Sequence, residues 1–105
     1  MKLNMDDTLQ KMLEAARNSL AKGGPKVRSC MQEALKEETQ AFQEIAEARI
    51  RGEISEEELE SQLDDERKTL EAAFLACRVE SKVAIQNAAN AAIDAFTDAL
   101  KGVLP

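Results

Sequence analysis

The chain has 105 residues, a net charge of −6, and no histidine, tryptophan or tyrosine. Lacking histidine, it cannot use an imidazole general base, a Ser–His or Cys–His nucleophile pair, or the Glu-x-x-His pairs of di-iron bundles. The composition is 44% hydrophobic and 32% charged but only 3% aromatic, the profile of a folded chain of long helices, and the length predicts one domain, residues 1–105.

No apolar run reaches membrane-spanning length, and Met1 to Asp7 lacks the apolar centre of a secretory signal, so a cytoplasmic location is expected if the chain starts at its natural N-terminus. The charge is unevenly spread. Residues 33–66 hold thirteen acids against Lys36, Arg49 and Arg51, a balance of −10, while the remainder carries +4.

The first helix is predicted from about Asp6 to Ala21, with Asp6 or Asp7 as cap and Met5, Leu9, Met12, Leu13, Ala16 and Leu20 as its apolar stripe. Gly23-Gly24-Pro25 ends it, and Pro25 suits the first position of the next helix. That second helix runs from Pro25 to Arg51 on Val27, Met31, Ala34, Leu35, Ala41, Phe42, Ile45 and Ala48, a face interrupted by Glu38. Gly52-Glu53-Ile54 then leads into Ser55-Glu56-Glu57-Glu58, a capping box. With no further Gly or Pro before Gly102, a third helix is expected to continue unbroken from Ser55 to Lys101. At ~1.5 Å per residue it would be about 70 Å long.

A connection this short makes the second and third helices antiparallel neighbours, with facing residue numbers summing to about 106. Cys30 then meets Cys77, Glu38 meets Arg67 or Lys68, and Arg49 meets Glu57. The first helix either continues the arm, covering Ala84, Ala92, Ala95 and Phe96 with Leu9, Met12 and Leu20, or folds back onto the turn half. The matched arm lengths favour the former. The expected fold is therefore all-α, a long antiparallel helical hairpin whose first arm is broken at Gly23-Gly24-Pro25. A second apolar row on the third helix, Ala72, Leu75, Ala76, Val79 and Val83, would stay uncovered, so two hairpins are expected to form a homodimeric four-helix bundle.

The functional expectation is non-enzymatic: a self-associating scaffold, adaptor or accessory subunit, with a protein partner, no cofactor and no metal. Cys30 and Cys77 offer an alternative, a thiol-redox regulator. In a reducing compartment two packed thiols are expected over a disulfide, because facing helices sit about 8–10 Å apart, wider than a disulfide spans. A further alternative is an anion or nucleic-acid site at a basic waist of Lys22, Lys26, Arg28, Arg78 and Lys82, although no aromatic residue interleaves these bases and no DNA-binding motif accompanies them. The segment Glu47–Glu58 resembles the second half of an EF-hand loop at Gly52, Ile54 and Glu58, but Arg49 and Arg51 stand where oxygen ligands are needed, which argues against calcium. The alanine-rich end carries Asp94 and Asp98 on its polar face and almost no bases, the wrong charge for anionic membranes.

Overall fold

The computed structural model describes residues 3–20, 24–77 and 81–104. These form α1 (Met5–Asn18), α2 (Pro25–Glu37), α3 (Thr39–Ile50), α4 (Glu56–Leu75) and α5 (Lys82–Lys101), with no strand among them.

Local chemistry accounts for most helix ends. The α1 cap is Asn4, whose extended backbone lets its side chain accept the Asp7 N–H at 3.1 Å. Asp6 and Asp7 instead occupy the first turn, where the positive end of the helix dipole favours them. Pro25 opens α2 from an extended Gly24. At the end of α3, Gly52 has φ of +73°, the left-handed conformation that glycine adopts without steric cost. The Glu53 N–H donates to the Ala48 carbonyl at 2.8 Å and the Gly52 N–H to that of Arg49 at 3.1 Å, the paired bonds of a Schellman ending. The Ser55–Glu58 capping box is complete, with both reciprocal bonds at 3.1 Å.

Two predicted helices are interrupted. The second breaks at Glu38, which has φ −97° and ψ 4°. There the Thr39 hydroxyl donates to the Lys36 carbonyl at 2.7 Å, competing with the helical ladder. The break in the third is larger. α4 ends at Leu75, and Ser81, extended at φ −146° and ψ 159°, caps α5 by accepting the Ala84 N–H at 3.1 Å. A 70 Å rod is thereby replaced by two 20-residue helices.

The chain folds back at this second break. α1 lies along α5, α5 along α4, α4 along α2 and α3, and α2 along α1. Short connections reverse direction each time, so α1, α2–α3, α4 and α5 form a closed ring of alternating segments. The extents are 39 × 23 × 19 Å and the radius of gyration is 13.3 Å, close to the ~13 Å of a compact chain of this length. The extended two-armed hairpin is thus corrected. Its apolar stripe is covered by the same chain, so a second copy is not needed to build the core.

That core joins Met12 and Leu13 of α1, Met31 and Leu35 of α2, Phe42 of α3, Leu70 and Phe74 of α4, and Phe96 and Leu100 of α5, all almost fully buried. The Phe42 and Phe96 rings pack across it with centroids 4.9 Å apart and planes inclined by 49°. On α5 the buried positions are Ile85, Ala88, Ala89, Ala92, Ile93, Phe96 and Leu100. Of these, Ile85, Ala89, Ile93 and Leu100 are not among the positions Ala84, Ala92, Ala95 and Phe96 expected to be covered on an unbroken third helix. Truncating Phe96 to alanine should cost about 3–5 kcal/mol through lost burial and an unfilled cavity, and Gly52→Ala should cost about 1 kcal/mol through its positive φ. Both are measurable by urea denaturation.

Candidate interaction site

At one end of the bundle Cys30, in the first turns of α2, and Cys77, beyond the end of α4, form a disulfide with a Cα–Cα distance of 5.6 Å. Facing numbering brought the pair together, but the expectation of two free thiols is corrected. The helix-spacing argument fails because Cys77 lies in the turn after α4, where its N–H donates to the Phe74 carbonyl at 3.0 Å. Its backbone is not held at the distance of two packed helix axes.

Beside this link lies the second apolar row. Ala72, Leu75, Ala76 and Val83 are exposed, with Leu75 63% and Val83 64% accessible; Val79 lies outside the described residues. Two of its members, Ala72 and Leu75, line a shallow cleft of about 420 Å³ between the end of α4 and the start of α5, together with Ile85 and with Lys68, Glu71 and Lys82 at the rim. The reversal creates it: a continuous helix would have no inner corner here.

Of the predicted basic waist, Lys26 and Lys82 are exposed and Arg28 is half-buried, while Lys22 and Arg78 lie outside the described residues. Lys82 lines the apolar cleft; Lys26 and Arg28 do not. Among the described residues no group of three or more acidic or cysteine side chains is arranged to hold a metal ion.

The expected pairing of Glu38 with Arg67 or Lys68 is not formed. Both bases serve their own helix: Arg67 bonds Asp64 at 2.7 Å and also bonds Glu71, and Lys68 reaches Asp64 at 3.3 Å. These bonds hold the Asp64 carboxyl below its ordinary range. Arg49 donates to the Ile54 carbonyl at 3.3 Å rather than pairing with Glu57. Glu38 instead meets Glu66, a residue that sequence reasoning passed over. Burial, followed by the charge of Glu38 and a hydrogen bond with it, pushes the Glu66 carboxyl up to about 7 from 4.5. The missed signal is the summed numbering itself, which places Glu66 one residue from the expected contacts of Glu38, within the error of any helical register.

Two outcomes follow. Since the Glu66 carboxyl rises on folding, the stability it contributes is complete below about pH 4.5 and is lost as pH climbs through about 7. Glu66→Gln should therefore be more stable than the parent at about pH 8 by on the order of 1 kcal/mol, after discounting for water at the rim, with no advantage near pH 5. Chemical denaturation at the two pH values measures this. Reducing the disulfide, which spans 47 residues of sequence, should lower stability by about 4 kcal/mol in the chain-entropy account, read from melts with and without dithiothreitol.

Compared with protein-family models, curated proteins and solved structures, the chain matches none.

Proposed function

We propose that the protein is a non-enzymatic helical adaptor or accessory subunit that associates with a second copy of itself through Ala72, Leu75, Ala76 and Val83. One observation carries this reading: among the described residues the two exposed large apolar side chains, Leu75 and Val83, lie on either side of the α4–α5 break, Leu75 in the cleft there and Val83 next in sequence to Lys82 at its rim. Isolated exposed leucines need no explanation, whereas a contiguous pair with small neighbours lets a second helix approach closely. A two-fold contact would bury the face against its own copy.

The strength of such a contact can be bounded. Burying these two side chains on each copy supplies at most about 6–8 kcal/mol, much of it offset by lost translational and rotational freedom. Association should therefore be weak and reversible, with Kd on the order of 1 mM. Sedimentation equilibrium approaching that concentration should show monomer–dimer exchange. Leu75→Glu or Val83→Glu should abolish it without changing the helical circular dichroism signal. A strictly monomeric parent at several hundred micromolar would sink the self-association reading, on the same energy scale.

The Cys30–Cys77 link supports a second reading, redox regulation, because it ties α2 to the end of α4 beside the same face. A reduction potential measured in dithiol buffers separates the cases. A value above about −250 mV would make the bond responsive to cellular thiols, and one below about −300 mV would leave it a permanent structural link.

A further inference from the structure

The two turns that flank α4 are enforced to different degrees. Before α4, Gly52 has a positive φ and fixes the chain reversal. After it, the chain leaves through Ala76, which is still helical at φ −66° and ψ −19°, and the sequence from Ser55 to Lys101 holds no glycine or proline to forbid a continuous helix. On the α5 side the reversal rests on Ser81, extended at φ −146° and ψ 159°, whose side chain accepts the Ala84 N–H at 3.1 Å. The Cys30–Cys77 link closes ahead of this point and joins α2 to the chain just after α4. α5 therefore lies outside the covalent loop, held against α1 and α4 by packing.

The residues lining the grooves between α4 and α5 fit one antiparallel register, with facing numbers summing to about 157. Glu60 falls opposite Thr97 and Arg67 opposite Asn90 in one groove, and Ala72 opposite Ile85 and Leu75 opposite Lys82 in the other. The register is symmetric about the break, so two uninterrupted α4–α5 helices from two copies can adopt it across a two-fold axis.

We propose that the protein exchanges α5 between two copies: the α4–α5 reversal straightens into one helix, and α5 of each copy takes the place of its partner's α5 against α1 and α4. Every contact of α5 is remade, including its buried face from Ile85 to Leu100. That face is much larger than the exposed pair Leu75 and Val83, so the exchanged dimer is held by far more area than a surface contact. The same register brings Leu75 of each copy beside Val83 of the other at the centre of the exchanged pair. The exchange goes beyond the surface contact proposed above and does not require it.

Two substitutions at the break act in opposite directions. Lys82 is the first residue of α5, where proline is well accommodated, and Ser81 already has the extended backbone that a following proline demands. Inside a continuous helix the same proline is strongly disfavoured. Lys82→Pro should therefore keep the closed monomer and lower the dimer association constant by more than about a thousandfold. Ser81→Ala removes a cap that only the closed chain uses, twice per dimer, and should raise the constant roughly thirtyfold.

The oxidised protein is refolded from urea at several hundred micromolar, diluted into the low micromolar range and sized by chromatography with light scattering. The parent should give a dimer that persists after dilution, because separation requires α5 to leave its buried site; Ser81→Ala should give more of it and Lys82→Pro none. A parent wholly monomeric after this treatment, a dimer that falls apart on dilution, or one that Lys82→Pro still forms would overturn the exchange, and the last two would leave the surface contact standing. A persistent dimer lost in Lys82→Pro and enriched in Ser81→Ala would establish it, whether or not the native chains also associate rapidly in sedimentation.

Discussion

The structure depends on covering one long apolar surface with very few large side chains. Three phenylalanines supply all the aromatic volume in the chain, and two of them, Phe42 and Phe96, meet across the centre of the bundle. Around that contact the interior is filled by methionine, leucine, isoleucine and many alanines. Alanine buries little area but lets helices approach closely, so enclosure has to come from surrounding the stripe on all sides. Reversal between α4 and α5 achieves this. It brings α5 back along α4 and gives α1 a helix to lie against.

Enclosure has a geometric consequence at the reversal itself. Ala72, Leu75 and Val83, on the last turns of α4 and the first of α5, stay exposed there. The disulfide sits at this same end and ties α2 to the turn after α4. A rigid anchorage beneath an exposed apolar face suits a contact surface, since little ordering entropy is lost when a partner docks on elements already held in place.

The far end is closed by the connection between α3 and α4. Its turn is well formed locally, with a Schellman ending at Gly52 and a complete capping box at Ser55, yet the helices it joins face one another with like charges. Asp64, Glu71, Arg67 and Lys68 satisfy one another along α4, which leaves Glu38 and Glu66 to each other.

Helical class, the turn at Gly52, the capping box, the proline start of α2 and the proximity of Cys30 to Cys77 were all legible in the sequence, because each arises from local backbone chemistry or from a short connection that sets its own register. The exposed row Ala72-Leu75-Ala76-Val83 was legible too, since its spacing places it off the buried face. What remained hidden was whether the helix from Ser55 runs through Ser81. A serine is tolerated within a helix and favoured as a cap, so the local preference is nearly neutral, and the decision falls to the burial of Ile85, Ala89, Ile93 and Leu100, which exists only once α1 and α4 are in place. The same holds for Glu38: its neighbours on α4 lie within one residue of each other, but only the packed structure turns Arg67 and Lys68 towards their own helix and leaves Glu66 facing it. Local chemistry determined where this chain can turn, and long-range burial decided where it does.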